Sequence, residues 1–428
     1  MNPPSHVIAG VRTVITKWWV RHTPTSLHPP PSKPYRKRLF LFLYLHMQKL
    51  KVSTLQKAAE YEIIIGTSLI SDFGLLIRES LPNSAKKIAI ISNREVFGLY
   101  GEAVKTAIER AGFSTVVFLM PDGERYKNFN TLRKIIDFLS ENKLRRTDHV
   151  VALGGGVVGD IAGFAASIYL RGIGVFQIPT TLLAMIDSSV GGKTGIDTKF
   201  GKNLVGTFHQ PSAVFIDVNF LRTLPRREFI SGLCEAIKHS VLSGTPLFQQ
   251  TVSFLSEFPV SRHNRAFSSY DCLKTLERLI ASNIAFKSSI VSEDEREETS
   301  RTERSRKILN FGHTIAHAIE KSTEYSLLKH GEAVGIGILV EAEISKLIAN
   351  FPESEIKLLN DVIGRLGRFP NLEKIEEQKV IEAISFDKKN LGDELEWVLL
   401  RRIGEPFIFK GVSEDVLVKA FRKIVKKE

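Results

Sequence analysis

Cysteine is nearly missing from this 428-residue chain, which holds only Cys234 and Cys272. Two thiols cannot build a disulfide framework, so the fold must rest on its own core, and a reducing, cytoplasmic location is expected. Long apolar runs are missing as well. Residues 39–45 form an apolar stretch too short to span a bilayer, so no membrane partner is expected. Acidic side chains are absent from residues 1–59, where ten Lys and Arg fall. Since the whole chain carries +12, the remainder is close to neutral. That distribution removes the electrostatic footprint of a nucleic-acid binder.

What is there begins after a leader. Residues 1–57 combine basic side chains with Pro29, Pro30, Pro31 and Pro34. They are expected to be a disordered extension, with Met47 as the working start rather than a transit peptide. From residue 58 to 225 an alternating pattern appears. Apolar runs at 61–65, 87–92, 115–120, 149–153, 174–178 and 213–216 read as strands, and 95–111 and 132–142 read as helices. Alternation of this kind predicts an α/β, Rossmann-like parallel sheet with helices on both faces. Ligands of such sheets gather at the carboxyl ends of the strands, so the turns after 115–120 and 149–153 should converge. From 226 to 428 the strand pattern stops. Residues 226–243, 273–290, 308–322, 331–349 and 353–366 read as helices, and 396–401 as one arm of a hairpin. A mostly α-helical second domain follows.

The stretch from 148 to 203 concentrates the chemistry. Gly154, Gly155, Gly156 and Gly159 follow an apolar run and satisfy G-x-G-x-x-G between a strand and a helix. Such a turn lets backbone N–H groups approach a pyrophosphate. The acidic residue that usually holds a ribose about twenty positions on is missing, and Glu124 in the PDGERYK segment is the candidate replacement. Gly192-Lys193-Thr194 is not a P-loop, because Asp187 stands where that motif requires glycine. Asp187 and Lys193 instead suit an oxyanion and proton-handling site. His313 and His317 share one helix face, and His330 follows in HGEAV. Three imidazoles so spaced predict a metal site, with Glu235 as a carboxylate ligand.

Together these segments resemble the 3-dehydroquinate synthase family, from about Tyr61 to the end. GGGVVGD, IPTTLLAMIDSSVGGKTGID, GKNLVGTFHQP, LNFGHTIAHAIE and HGEAV occur in the family's order. The resemblance implies NAD contacts from Asp122, Gly123, Glu124, Arg125, Tyr126 and Lys127. It extends them to Gly155, Gly156, Val157, Val158, Gly159, Asp160, Thr180, Thr181, Lys193, Lys202, Phe220, Leu221, Arg222 and Thr223. It implies zinc, with cobalt as an alternative, on Glu235, His313 and His330. Asp187, Lys193, Lys238 and His317 would be catalytic. A sugar acid phosphate would meet Lys193, Lys202, Asn203, Lys287, Arg306, Asn310 and one of Lys388 and Lys389. Arg171 would reach the partner subunit's site, which implies a homodimer.

The reaction so implied converts 3-deoxy-D-arabino-heptulosonate 7-phosphate to 3-dehydroquinate and phosphate. Two alternatives stay open: a sugar-phosphate cyclase with a non-carboxylated substrate, and a metal-dependent polyol dehydrogenase. The stretch before Arg306 is about five residues longer than the family's and holds Arg296, Arg301 and Arg304. Arg306 keeps the family's R-x-x-L-N spacing to Asn310.

Overall fold

A computed structural model of the chain describes residues 60–262, 269–297, 305–370, 372–391 and 395–426. The leader 1–57 and its expected start at Met47 lie outside those residues, as do Arg301 and Arg304. The side chains of Lys388 and Lys389 lie outside them too.

Six strands form one parallel sheet. They are β1 (Glu62–Gly66), β2 (Lys87–Asn93), β3 (Ser114–Met120), β4 (His149–Gly154), β5 (Gly174–Pro179) and β8 (Ala213–Asp217), in the order β1-β8-β5-β4-β2-β3. The central strands are apolar on both faces because helices cover both. One core lies on the side of α1 (Phe73–Glu79) and α2 (Glu102–Arg110), and continues into the helical half. The other packs α3 (Phe129–Glu141) and α4 (Gly156–Ile168) on the opposite face. Asn93 and Asn128 cap the turns that follow β2 and precede α3, their side chains accepting the N–H groups of Val96 and Thr131.

Between β5 and β8 the chain leaves the sheet and forms an antiparallel hairpin, β6 (Lys193–Thr198) and β7 (Gly201–Phe208). The apolar-run pattern does not reveal this hairpin. Its strands carry Lys193, Thr194, Asp197, Lys202 and Asn203, so they lack the hydrophobic signature of a buried strand.

After Pro225 come α5 (Arg226–Ser243), α6 (Thr245–Glu257), α7 (Tyr270–Glu293), α8 (His313–Ser322), α9 (His330–Ala349), α10 (Glu353–Gly364) and α11 (Glu377–Leu391). A hairpin, β9 (Glu396–Leu400) with β10 (Pro406–Lys410), precedes α12 (Glu414–Phe421). The helix expected over 308–322 is corrected. Residues Arg306–Asn310 make a short 3-10 turn, and Gly312, at φ 80°, breaks the chain before α8 begins. That left-handed conformation suits glycine, and the break places His313 at the first position of a helix.

Helices α5, α8 and α9 approach at backbone distance. A Cβ on Gly337 of α9 would sit 1.9 Å from the Gly312 carbonyl oxygen, and one on Gly331 would sit 2.0 Å from the Ser231 carbonyl oxygen of α5. Gly331 N–H also donates to Ser231 Oγ at 3.0 Å. The first turn of α9 carries Glu332, which accepts from Lys329 N–H at 2.8 Å and from Arg227 Nε at 2.9 Å. A carboxylate at a helix N-terminus is electrostatically favourable. No helix among the described residues is long and apolar enough to cross a membrane.

Candidate active site

A cleft of about 1010 Å³ runs from the carboxyl ends of the strands to the starts of α8 and α9. Asp122, Gly123, Glu124 and Lys127 line it together with Gly155, Gly156, Val157, Val158 and Asp160, so the two strand-end turns meet. Lys127 makes the junction: its buried ammonium donates to Asp160 Oδ2 and Asn203 Oδ1, both at 2.5 Å. Asn93 Nδ2 holds Asp122 Oδ1 at 2.6 Å. Helix α4 starts at Gly156 with Gly155 at its N-cap, and neither brings a side chain to cover the helix N-terminus. A Cβ on Gly155 would lie 3.1 Å from Thr181 Cγ2, and one on Gly156 would lie 3.0 Å from Ser188 Oγ. The turn is therefore a bare cradle of N–H groups, the chemistry a pyrophosphate needs. Thr180, Thr181, Phe220 and Thr223 complete this end of the cleft. Arg125, Tyr126, Gly159, Leu221, Arg222 and Arg171 are not among its lining residues.

At the other end Glu235, on α5, is fully buried. Its Oε1 stands 3.7 Å from His313 Nε2 and 3.6 Å from His330 Nε2. That oxygen has no hydrogen-bond partner among the described residues, which leaves it open as a ligand atom between the two imidazoles. His313 Nδ1 faces the Phe311 carbonyl at 3.2 Å, and His330 Nδ1 faces Glu320 Oε2 at 3.4 Å, which turns both Nε2 atoms to Glu235. Burial, helped by Lys238 and the neighbouring imidazoles, holds His313 well below the usual histidine range. His313 thus keeps a lone pair to offer. Burial works against a charge on His330 too, but the Glu320 carboxylate outweighs it and pushes its pKa up. One carboxylate and two imidazoles with ligand atoms within 4.8 Å of one another fit a zinc-type ion. His317, Glu320 and His330 also cluster. They suit a metal less, since both Glu320 oxygens are already met, Oε1 by Lys202 Nζ at 3.1 Å and Oε2 by His330 Nδ1 at 3.4 Å.

Between the two ends lie the polar side chains of the cleft. Lys238, one turn after Glu235, brings Nζ to 2.6 Å from Glu235 Oε2. Asp187 sits in the turn Ala184–Ser188, where Lys287 Nζ contacts its Oδ1 and its carbonyl, the latter at 2.6 Å. Burial opposes the Asp187 charge, but Lys287, Lys238 and His239 overcome it and hold this carboxyl well below the usual range. Lys193 pairs with Glu297, whose Oε1 accepts from Asn310 Nδ2 at 3.0 Å. Arg306 is buried and donates Nη1 to the carbonyls of Gly191 at 3.1 Å and Glu295 at 2.7 Å. Lys202 joins the two ends, lying 3.9 Å from Glu124 and 3.1 Å from Glu320. His317 opens onto the same cleft.

Three residues of this region were not singled out by the motifs. Glu320 lies three positions after His317 and accepts the Lys202 and His330 contacts, and its pKa falls to about 2 because those cations outweigh its burial. Helical spacing from His317 is the signal for it. His239 follows Lys238 in an apolar run and faces Asp187 Oδ1 at 3.8 Å; burial first, then Lys238, lowers its pKa to about 3. Glu297 carries no sequence signal beyond its charge, since its place depends on how the longer stretch before Arg306 folds.

Residues 117–231 match the family described as 3-dehydroquinate synthase N-terminal, and residues 232–390 match 3-dehydroquinate synthase C-terminal. A 3-dehydroquinate synthase from Thermodesulfovibrio yellowstonii is 40% identical over 379 residues, covering 88% of this chain and 100% of its own. A solved 2-epi-5-epi-valiolone synthase from Streptomyces hygroscopicus subsp. jinggangensis, with NAD+ and Zn2+ bound, superimposes with a TM-score of 0.76 at 25% identity. It covers 89% of this chain and 100% of that one. A 2-deoxy-scyllo-inosose synthase complexed with carbaglucose-6-phosphate, NAD+ and Co2+ gives 0.73 at 26% identity, covering 85% and 96%.

Proposed function

The chain belongs to the 3-dehydroquinate synthase family, and we propose on that premise that it converts 3-deoxy-D-arabino-heptulosonate 7-phosphate to 3-dehydroquinate and phosphate. In that reaction a secondary alcohol is oxidised transiently, phosphate is eliminated, the ketone is reduced, and the opened ring closes by an intramolecular aldol step. Glu235, His313 and His330 would hold zinc or cobalt, whose Lewis acidity lowers the pKa of a bound hydroxyl. The Gly155–Gly156 cradle, with Asp122, Gly123, Glu124, Lys127, Thr180 and Thr181, would hold NAD, which supplies a hydride acceptor regenerated within each turnover.

The remaining roles belong to the chain's own side chains. Asp187, kept ionised by Lys287, accepts hydrogen bonds from substrate hydroxyls and holds them in one orientation. Lys238 and His317 exchange protons at the substrate oxygens near the metal ligands. Lys193 and Asn310 bind the phosphate, as cationic and amide donors suit its oxygens. The phosphate displaces Glu297 from both. Arg306 and Lys287 hold the substrate carboxylate, and Lys202 braces the cofactor end against Glu320. The single observation that carries this reading is the meeting of the Glu235–His313–His330 cluster with a bare glycine cradle across one cleft lined by Lys193, Lys238, Lys287 and Arg306.

We read residues 58–225 and 226–428 as two domains with this cleft between their contributions, working in the cytoplasm. The enzyme works as a homodimer. Ile168 and Leu170, each 41% exposed, stand beside Arg171. That apolar surface beside an arginine suits a second copy.

The decisive experiment measures phosphate released from the heptulosonate phosphate by the protein loaded with NAD and zinc. Release with that substrate, and little with sedoheptulose 7-phosphate, is expected. The reverse preference would replace this reading with that of a non-carboxylate cyclase.

A further inference from the structure

We propose that Glu341 is a positioning residue for the metal centre: its buried carboxyl group caps the start of α8 and so aims His313 at Glu235. The inference rests on the reading of Glu235, His313 and His330 as metal ligands.

Glu341 lies eleven residues along α9 from His330, roughly 16 Å at helical rise, so it is no ligand itself. It is fully buried, and its Oε2 accepts the Gly312 N–H at 2.7 Å. The N–H groups of Thr314 and Ile315 face it as well. Its Oε1 has no hydrogen-bond partner among the described residues. The first N–H groups of any helix lack intrahelical acceptors and are normally met by a Ser, Thr, Asp or Asn at the N-cap. Here the N-cap is Gly312, which has no side chain. The acceptor arrives instead from the neighbouring helix.

That substitution has a geometric effect. His313 is the first residue of α8, and its ring is set by the Phe311 carbonyl, on the far side of Gly312. Glu341 therefore grips the middle residue of the three that orient the imidazole. Gly337, four residues before Glu341 on α9, rests against the Gly312 carbonyl. One helix thus holds the turn by contact on one side and by a hydrogen bond on the other, and the same helix begins with His330. An apolar side chain here would leave the Gly312 N–H buried without its acceptor, so the turn that carries His313 depends on this carboxyl for its shape. The polar contacts of Glu341 go to the turn that carries a ligand.

The test compares zinc affinity of metal-stripped protein, by competition with a chromophoric chelator, in the native chain and in Glu341→Ala and Glu341→Gln. Loss of an outer support of a metal ligand weakens metal binding about 10–100-fold, and that loss is expected for Glu341→Ala. Glu341→Gln keeps an acceptor oxygen and should return to within a few-fold of native, with NAD titrating normally in both variants. Native zinc affinity in Glu341→Ala overturns the proposal, as does Glu341→Gln binding no better than Ala. Should Glu341→Ala not fold, Glu341→Asp takes its place, since it withdraws the carboxyl by one methylene. Native affinity there overturns the proposal equally. Absence of stoichiometric zinc in the native protein would instead overturn the metal reading on which it stands.

Discussion

Lys238 points its ammonium at the same carboxylate that His313 and His330 face: Nζ lies 2.6 Å from Glu235 Oε2, while Oε1 is left to the imidazoles. Glu235 and Lys238 are 0% and 2% exposed, so neither charge has recourse to water. One carboxylate oxygen is thus paired with the chain's own ammonium, and the other faces the two imidazoles.

Replacing Lys238 with Met should therefore destabilise the metal-free protein by about 3–5 kcal/mol, the cost of leaving one member of a buried pair uncompensated. Zinc should restore more stability to this variant than it adds to the native protein, because it then supplies the missing charge. Thermal unfolding with and without zinc reads both effects. An equal zinc-induced rise in the two proteins would show that Lys238 and the metal do not share the carboxylate. His330→Ala is the companion variant, and should lose zinc while titrating NAD normally.

The glycine cradle makes an independent prediction. A side chain at Gly155 would press on Thr181, where a Cβ alone already lies 3.1 Å from Cγ2, and would project over the start of α4. Gly155→Val should weaken NAD by roughly 10–100-fold, corresponding to about 1–3 kcal/mol of crowding. Zinc stoichiometry should stay at one. NAD fluorescence titration and metal analysis on the same preparation separate the two sites.

The proposed role of Arg306 can be tested with two substrates. A guanidinium binds a carboxylate through two parallel hydrogen bonds, which lysine cannot reproduce. Arg306→Ala should lower kcat/KM for the heptulosonate phosphate by about 30-fold to several-thousand-fold, equivalent to about 2–5 kcal/mol. The residual rate with sedoheptulose 7-phosphate, which lacks the carboxylate, should fall far less. Equal losses on both substrates would assign Arg306 a structural role through Gly191 and Glu295 instead.

His239 supplies a pH test. Its folded pKa of about 3 lies below the ordinary value of 6.5. The fold therefore excludes a proton that the unfolded chain binds. The stabilisation tied to the neutral ring is present above pH 6.5 and is lost progressively as pH falls toward 3. The loss should be on the order of a few kcal/mol. Urea unfolding of the native protein and of His239→Gln between pH 7 and 4 should show a shallower decline in the variant. Parallel curves would mean that His239 is already solvated or protonated in the fold.

The sheet was legible because its six strands are centred on short apolar runs, as in residues 88–91 of β2 and 213–216 of β8, bounded by polar turns. The meeting of PDGERYK with the glycine turn followed from parallel order alone. The hairpin β6–β7 was not legible, because its strands are half-exposed and carry the polar groups of the cleft. The break at Gly312 was hidden for another reason: apolar spacing runs on through Ile308, Leu309, Phe311 and Ile315, and only a left-handed backbone interrupts it. Among the site residues, His313, His330 and Glu235 stood out by type and spacing. Glu320 and His239 did not, since their importance lies in what they touch across the fold rather than along the chain.

The contacts of Gly337 with Gly312 and of Gly331 with Ser231 bear on how such a centre can be changed or copied. The three side chains transplanted onto other helices would not reproduce it, because here backbone meets backbone where a Cβ would lie 1.9–2.0 Å from a carbonyl oxygen. The close approach of the segments that carry Glu235, His313 and His330 depends on the missing Cβ atoms at Gly331 and Gly337. A redesign that kept every ligand but placed alanine at 331 and 337 would hold the right donors at the wrong spacing, and the search for a tighter or altered metal preference should begin at those two positions.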